Sequence, residues 1–565
     1  MATSQHSIGA GTVAGSPVVS RVFSANRFQV LLPSFSDCFF IALFLWLFVA
    51  GSHGWDSLLT DADIGWHIRA GDWIMANHSV PTHDLFSFSK PGAEWFAWEW
   101  LSDVIFALLF RAAGLKGVVL LAGVVIGLYA TVMVRYAFWR GANAMVALPL
   151  ALLGVGSSTV HFLARPHVFT LLFLAVALWL LEKDRQRNTR ALWLLIPLTV
   201  LWVNLHGGFF MFLACLFLLV AGSAIEAARN PEGLSADLWS AVRRYAILFA
   251  ACSAASIVNP YGIGLHRHIA TYLQSDWIRN NIQEFMAPTF RTEGQLQFEL
   301  ILILGLLTVT LLLRKGRIVE ALWVLFFAHS SLTSVRHAPL FCLLAVPLIA
   351  DELSSAWKVA AAKLPRGSLL GTLHTLGVDL AVPFRRSSVW IPLSVAIVAL
   401  APLSWPVDFP KEVFPTAIVA HNSKLFETGR ILTTDQWGDY LIFHYYPRIK
   451  VYVDGRSDFY GEQLGDEYMH ILQLSSDWKR IFERRGFDVV LLPSHWPVVE
   501  VLRGNPEWHV VEETTKAVLF LRCLDCSHSP SPTHAVVLKK TLPEANENIQ
   551  PRRSLYTGDR RDDRV

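Results

Sequence analysis

Charged residues are scarce in this sequence. They make up 16% of the 565 residues, and 53% of the chain is hydrophobic. A soluble domain carries about 25% charged residues, so the composition excludes an ordinary soluble protein. The net charge of +3 is small and is spread along the chain, which argues against nucleic acid as a partner.

Cysteine is scarce as well, and the six cysteines are too scattered for a disulfide scaffold. Four lie in apolar segments as small hydrophobic side chains: Cys38, Cys215, Cys252 and Cys342. Cys523 and Cys526 form one close pair without the second pair or histidine that a zinc site needs. This favours a local disulfide or two unreacted thiols.

An internal repeat and a signal-peptide cleavage pattern are also missing. The missing repeat argues against a transporter or lipid flippase, which favours repeats and helices interrupted near the midplane. The missing cleavage pattern makes the first apolar segment an anchor. We expect residues 1–29 to form a disordered cytoplasmic tail and the polar residues 527–565 to be disordered.

Apolar segments are abundant in this sequence. Eleven are long enough for a hydrocarbon core of about 30 Å. The predicted spans are 36–53, 117–138, 142–162, 166–182, 191–206, 208–227, 244–260, 297–313, 318–334, 337–350 and 388–405. The sequence therefore predicts a mainly α, polytopic membrane domain over residues 30–405.

Basic residues orient these spans. If the first span runs outward, every inner connection carries Arg or Lys, as the positive-inside rule requires. The N-terminus is then cytoplasmic, and the odd number of spans places the C-terminal region outside. We expect an integral protein of a bacterial inner or plasma membrane.

The segment 100–113 is apolar and helical in period but does not fit this topology. Counting it as a span would put the basic cluster at 183–190 on the outside. It is short and contains Asp103, so we predict an interfacial or re-entrant helix on the outer face.

Histidines concentrate on one side of the predicted bundle. Of the twelve between residues 30 and 405, only His374 lies inside. The other eleven are His53, His67, His78, His83, His161, His167, His206, His266, His268, His329 and His337. Polar groups inside a membrane protein are tolerated where they line a cavity, so we predict an outward-facing cavity between the helices.

The first outer loop, residues 54–99, carries the strongest candidates. Asp61, Asp63, His67 and Arg69 stand beside the membrane surface, where charges are rarely kept for stability alone. A spacing of two keeps the two aspartates off one helix face, although an irregular turn brings both to one site.

Two further acids of this loop, Asp84 and Glu99, are weaker candidates for binding an acceptor. The alternative is that the acids of the loop cap short helices and that its tryptophans anchor it at the headgroups.

The other outer connections supply basic and polar side chains. Arg165 and His167 bracket a helix start at Pro166, where the helix dipole favours an anion. The remaining candidates for binding substrate or phosphate are His161, Asn204, His206, His266, Arg336 and His337. An anionic lipid-linked substrate requires such positions. The alternatives are that Arg165 snorkels to the headgroups and that each lone histidine is structural.

Residues 406–526 change in composition and predict a small α/β domain outside the membrane. Strands are predicted at 431–434, 450–454, 488–492 and 518–521, and helices near 415–422, 437–445, 462–485 and 496–503. Polar clusters at 437–440 and 454–458 follow strands, where open α/β sheets place their sites. Asp454 and Arg456 are candidates for binding acceptor or sugar; the alternative is that they pair with each other in a turn.

This layout resembles the GT-C superfamily of integral-membrane glycosyltransferases, which includes protein O-mannosyltransferases, aminoarabinose transferases and oligosaccharyltransferase catalytic subunits. That superfamily has an acid in the first outer loop, and a second outer loop follows its third span. Asp61 and Asp63, with Gly71, Pro81 and Asp84, resemble the first loop. Residues 161–167 take the place of the second, and the architectural resemblance covers residues 36–405.

The resemblance implies transfer of a sugar from a polyprenyl-phosphate-linked donor, with inversion, to a glycan, lipid or protein acceptor on the outer face. Asp63, or else Asp61, would be the general base, a role that contributes about 10²- to 10⁴-fold, and His67 would orient the carboxylate or the acceptor. Arg165, Arg336 and His167 would face the phosphate of the donor, which lies among the membrane lipids.

Two departures from the family pattern predict a mechanism without metal or cofactor. Ile64 follows Asp63, so the Asp-Glu pair of many members is missing, and the second loop lacks the acid of metal-dependent members. A branch with a different substrate, or one without transfer activity, is left open. So is a non-catalytic receptor or assembly protein, which would tolerate Asn at positions 61 and 63.

Overall fold

The computed structural model describes residues 31–50, 54–229, 235–365, 367–381 and 389–523. The predicted disordered tails, His53 and Cys526 lie outside these ranges. The described residues up to Arg522 belong to one compact unit.

The region predicted to be membrane-embedded is built from α-helices, and its connections include a long one, residues 78–99. In chain order they are α1 (Phe35–Leu45), α2 (Asp63–Asn77), α3 (Trp100–Ala113), α4 (Leu115–Trp139), α5 (Ala144–Ser158), α6 (His167–Gln186), α7 (Leu195–Val203), α8 (Phe209–Ala228), α9 (Ser235–Ala255), α10 (Ile263–Gln274), α11 (Asp276–Asn281), α12 (Glu293–Arg314), α13 (Ile318–Thr333), α14 (Ala338–Ala361), α15 (Leu369–Ala381) and α16 (Trp390–Leu400).

Each of the eleven predicted spans overlaps one of these helices. Within the described residues, five helical stretches are long and apolar enough to cross a membrane: Leu115–Trp139, Ala144–His161, Phe209–Ala228, Glu293–Arg314 and Val335–Ala361. Shorter apolar helices accompany them, among them Phe35–Val49 and Ile318–Thr333. The chain is therefore an integral membrane protein, and the full number of spans stays a prediction.

Small residues allow the helices to pack closely, as is common in membranes. On α4, a Cβ added at Gly127 would lie 2.7 Å from the ring of Phe40, and one at Gly123 would lie 2.5 Å from the ring of Phe48. These two glycines let α1 and the helical turn Trp46–Ala50 that follows it pack directly on α4.

Helix α3 begins and ends at the residues predicted, and it packs on α2. A Cβ added at Gly71 of α2 would overlap the carbonyl oxygen of Asp103. The two helices therefore touch backbone to backbone, and α3 supports the N-terminal half of the first outer loop. Its interfacial position stays a prediction.

Helix α15 was not predicted from the sequence. It packs on the start of α5, where Asn143 Nδ2 donates to the His374 carbonyl oxygen at 2.9 Å. A Cβ at Gly377 would overlap the Asn143 side chain, so this packing requires a glycine.

Basic residues of three predicted inner connections meet at one end of the bundle. Arg140 pairs with Glu182 and with Asp351, Arg185 lies 2.8 Å from Glu320, and Arg317 lies 3.4 Å from Asp351. A cavity of about 340 Å³ lies among them. The connections assigned to one side from their charge therefore lie together.

The C-terminal region carries the remaining elements and one sheet. The helices are α17 (Thr416–His421), α18 (Ser423–Phe426), α19 (Asp435–Tyr445), α20 (Ser457–Leu472), α21 (Trp478–Arg485) and α22 (Pro497–Arg503). The strands are β1 (Ile431–Thr433), β2 (Val489–Pro493), β3 (Trp508–Glu513) and β4 (Ala517–Arg522). Their order is β1-β2-β4-β3. β1 and β2 are parallel, and the other pairs are antiparallel.

Three details of this region differ from the prediction. Residues 450–454 form no strand; Val451 makes only isolated bridges, to Ser87 of the outer loop and to Ile431. The predicted helix 462–485 is two helices, α20 and α21, with Leu474 between them at a φ of 56°. The strand β3 was missed because its exposed pattern resembles a surface loop.

Candidate active site

Asp61 and Asp63 lie at the start of α2. Asp61 Oδ1 accepts a hydrogen bond from the Asp63 backbone N–H at 2.9 Å, which satisfies one of the free donors at the helix N-terminus. Asp63 is the first residue of the helix and is 3% exposed. The irregular turn before α2 brings both carboxylates to the same neighbour.

That neighbour is Arg165, from the connection between α5 and α6. Its Nη1 lies 2.8 Å from Asp61 Oδ2, and its Nη2 contacts Asp63 Oδ2. The backbone N–H of Ala164 donates to the Leu58 carbonyl oxygen at 2.8 Å, so the two outer connections are joined beside the pair. One planar guanidinium thus fixes both aspartates.

The charge cluster continues through Glu284 to Arg336. Glu284 lies 3.7 Å from Arg165 and 3.3 Å from Arg336, and Arg336 stacks 4.4 Å above the ring of Phe285. Burial alone would raise the pKa of Glu284. Arg336 and Arg165 nevertheless hold this pKa below its ordinary value. Glu284 was missed because nothing nearby in the sequence links it to the two arginines.

The cluster has an accessible side. The side chains of Asp61, Arg165, Glu284 and Arg336 are 17%, 20%, 23% and 18% exposed, whereas that of Asp63 is 4% exposed. An anion can therefore reach both arginines, while Asp63 lies at the bottom of the cluster.

The C-terminal region closes the cluster from the other side. Gln436 Oε1 accepts from the Ala62 N–H at 2.8 Å, and its Nε2 donates to Asp63 Oδ1 at 3.3 Å. The Asp439 carboxyl group hydrogen-bonds to that of Asp63. Both residues belong to α19, which begins directly after β1, as expected for polar groups that follow a strand of an α/β sheet.

Asp63 and Asp439 are buried carboxyl groups in contact with each other. Burial raises the pKa of both, and neighbouring carboxylates raise each further. Arg165 opposes this effect at Asp63, whose pKa is raised to about 8. A carboxyl group with a pKa near neutral pH is a suitable general base.

His67 lies in a different part of the site from Asp63. Its Nδ1 is 2.6 Å from Asp103 Oδ1, and its Nε2 is 3.7 Å from Glu99. Glu99 also lies 3.5 Å from His206 Nε2, and burial raises the pKa of Glu99 to about 8. These residues form a second polar cluster, at the start of α3, which the sequence did not connect.

His161 and His167 pack on each other with ring centroids 3.9 Å apart. His167 Nε2 donates to the His161 carbonyl oxygen at 2.7 Å, and the ring of His167 lies 6.4 Å from that of His206. The three imidazoles therefore lie close together, and a cavity lined by the outer histidines stays a prediction.

Four predicted substrate-binding residues have other contacts. Arg69 donates to the Phe443 carbonyl oxygen at 2.7 Å and pairs with Asp72. Asn204 accepts from Trp100 at 2.8 Å. The remaining two are bound locally: His266 contacts Ser256 at 2.8 Å, and His337 contacts the Ser330 carbonyl oxygen at 3.1 Å. These contacts hold elements together and do not point to the aspartates.

Three of the four weaker acceptor candidates form a buried cluster of charges, whereas Glu99 lies beside His67 and His206. Arg456 Nη2 lies 2.8 Å from Asp84 and 2.7 Å from Asp454. Tyr460 donates to Asp454 at 2.7 Å, and the Arg456 guanidinium lies 4.6 Å from the ring of Trp95. Because these three charged side chains are at most 1% exposed, the cluster joins the outer loop to the C-terminal region.

Among the described residues, no group of three or more His, Cys, Asp or Glu side chains is arranged to hold a metal ion. Metal independence stays a prediction.

Comparison with solved structures finds 14 matching chains, one of them that of ArnT. The chain is similar to the crystal structure of ArnT from Cupriavidus metallidurans bound to undecaprenyl phosphate, with a TM-score of 0.43 and 11% sequence identity, over 87% of this chain and 98% of that chain. No protein-family model matches the chain, and no curated protein matches it significantly in sequence. Its function is therefore inferred from its own residues.

Proposed function

We propose that the protein is a membrane glycosyltransferase that moves a sugar from a polyprenyl-phosphate-linked donor to an acceptor hydroxyl on the outer face. The observation that carries the proposal is the arrangement of Asp63 and Arg165, a buried carboxylate held by an arginine that remains reachable from one side. A base and an anion-binding group thus lie side by side among helices of a membrane protein.

Arg165 and Arg336 are the proposed phosphate ligands. Their contacts with Glu284, at 3.7 Å and 3.3 Å, are longer than the 2.8 Å contact of Arg165 with Asp61. A donor phosphate replaces or joins Glu284 between the two guanidinium groups. There it receives charge-assisted hydrogen bonds as the phosphate leaves.

Asp63 is the proposed general base. It takes the proton of the acceptor hydroxyl as that oxygen attacks the anomeric carbon, while the bond to the phosphate oxygen breaks. Attack from the face opposite the leaving group inverts the configuration. Asp61 shares Arg165 with Asp63 and keeps the guanidinium in place, and no metal is assigned a role.

The test uses the full chain reconstituted in vesicles with lipid-linked sugar donors, with transfer measured by mass spectrometry. We expect Asp63→Asn to lower transfer by about 10²- to 10⁴-fold, the usual contribution of a general base, and Asp61→Asn to have a smaller effect. Asp72→Asn is the matched control. This acid is also on α2 but pairs with Arg69 and Arg111.

Unchanged transfer in both single variants and in the Asp61/Asp63 double variant would overturn the proposal. A larger loss in Asp61→Asn than in Asp63→Asn would move the base to Asp61. Comparing lipid-linked sugars and glycans in cells with and without the protein identifies the sugar and the acceptor.

A further inference from the structure

Asp439 occupies an unusual position for a residue of the C-terminal region. It is fully buried on the face of α19 that packs against α2. A Cβ added at Gly65 of α2 would lie 2.9 Å from the Asp439 carbonyl oxygen and 2.9 Å from Phe443 Cβ. The glycine lets the two helix backbones approach, and Asp439 then lies opposite Asp63.

The Gly455 backbone holds the Asp439 side chain by hydrogen bonding. The Gly455 N–H lies 3.0 Å and 3.2 Å from the two carboxyl oxygens of Asp439. A Cβ at this position would overlap Asp63 Oδ1 and would lie 2.8 Å from Asp439 Oδ2. The Gly455 backbone therefore lies against both carboxyl groups, and a side chain at this position would displace them.

The charges around the pair are unequal. Arg165, Asp61 and Glu284 act on Asp63, and Asp454 acts on Asp439. Two carboxylates this close and this buried cannot both be ionised, so one of them retains a proton. The only cation among these groups contacts Asp63, which leaves the proton with Asp439.

We propose that Asp439 is the positioning residue of the base: as a neutral acid held by Gly455, it donates a hydrogen bond to Asp63 and keeps that carboxylate oriented for the acceptor. This inference rests on the proposed function, since it assigns a partner to the same Asp63. It also means that the active site requires a residue that the C-terminal region provides.

The test compares two substitutions in the reconstituted full chain. In Asp439→Asn the amide N–H₂ still donates to Asp63, and its oxygen still accepts from Gly455. In Asp439→Leu the donor is lost. We expect Asp439→Leu to lower kcat by about tenfold or more, the effect of losing a hydrogen bond to a charged group, with KM for the donor unchanged. Asp439→Asn keeps most of kcat.

The pH profile separates positioning from a purely structural role. In the wild type, kcat rises with pH as Asp63 ionises, since its pKa is raised to about 8. It falls at higher pH as Asp439 loses its proton, because the donor is lost and a second negative charge faces Asp63. Asn does not titrate, so this alkaline limb is absent in Asp439→Asn. Asp435→Asn changes another acid of α19, whose pKa is raised to about 6, and keeps the alkaline limb.

Infrared spectroscopy of the purified full chain detects the proton independently of transfer. The wild type shows carbonyl bands of buried protonated carboxyl groups, to which Glu99 also contributes at neutral pH. Asp439→Asn removes one component of these bands, and Asp435→Asn leaves that component in place. An unchanged alkaline limb in Asp439→Asn, or a band that this substitution does not remove, overturns the inference. If Asp63→Asn leaves transfer intact while the band behaves as expected, the proposed function fails and the proton-sharing pair stands.

Discussion

At the scale of single residues, Arg165 has the most demanding role. It contacts Asp61 with one terminal nitrogen and Asp63 with the other, and it lies near Glu284. Lysine carries the same charge as a single point and cannot make both contacts in a fixed plane. The geometry of the aspartates therefore depends on the guanidinium and not on positive charge alone.

We therefore expect Arg165→Lys to raise KM for the lipid-linked donor by about tenfold and to lower kcat as well. The measurement is steady-state transfer over a range of donor concentrations. Arg279→Lys is the control, since Arg279 is an exposed residue paired with Asp276 of the same helix. Wild-type kinetics in Arg165→Lys would exclude a bidentate role.

Glu99 is a second residue whose role can be measured, through the effect of its pKa on stability. Burial raises its pKa from 4.5 to about 8, although Arg165 opposes the shift. In the folded state it therefore holds a proton that the unfolded chain releases near the ordinary value. Its contribution to stability is complete at low pH and is lost as the pH rises from about 4.5 towards about 8.

Glu99→Gln removes this titration. We expect the melting temperature of the wild type to fall relative to that of Glu99→Gln between about pH 5 and pH 8, measured by thermal unfolding in detergent. If the melting temperatures of the two proteins change in parallel between about pH 5 and pH 8, the raised pKa of Glu99 is contradicted.

Sequence reasoning identified part of the site at this scale. Asp61 and Asp63 were chosen because charged groups at a membrane boundary are costly, and Arg165 because it stands at a helix start that favours an anion. The structure brings the three together. Glu284 and Asp439 carry no local signal, since each acquires its partner only through long-range packing. Arg69 has the right charge but is held by Phe443, which lies 374 residues further along the chain.

At the scale of elements, the contact between α2 and α19 brings Asp63 and Asp439 together. Gly65 and Gly455 are the positions at which backbone approaches backbone or a carboxylate. The periodicity of the sequence predicted α19 to within two residues, yet it could not predict which helix α19 would meet. Helix bounds follow from local pattern, whereas contacts between distant helices do not.

We expect Gly455→Ala to separate the carboxyl groups of Asp63 and Asp439. Because the added methyl group overlaps Asp63, the change should destabilise the fold by about 1–3 kcal/mol and also lower transfer. Gly504→Ala is the matched control. Its Cβ would meet nothing closer than 3.7 Å, and its φ is −82°. The measurements are thermal unfolding and transfer, and equal stability of both variants would contradict the overlap.

At the scale of the whole molecule, the two charged ends of the bundle support the predicted topology. The ion pairs of Arg140, Arg185 and Arg317 lie at one end, and the cluster around Arg165 and Arg336 involves the opposite ends of α6 and α14. Which end faces the cytoplasm is set by the positive-inside rule alone.

Cysteine labelling tests this orientation. Asn188 lies in an exposed connection after α6, and the side chain of Glu500 in the C-terminal region is 72% exposed. We expect a membrane-impermeant maleimide to label Glu500→Cys in intact cells and to label Asn188→Cys only after lysis. Labelling of the wild type, in which Cys38 is exposed, gives the background. The reverse pattern would invert the topology.

The joining of residue 63 to residue 439 also affects how the protein is made. The ribosome completes the first outer loop long before it reaches α19, so a nascent chain already inserted in the bilayer carries Asp63 without its partner. Under the proposed function, sugar transfer therefore requires that α19 has been synthesised and has packed against α2. A chain that ends before residue 435 contains the whole of residues 54–99 but lacks the partner of its proposed base.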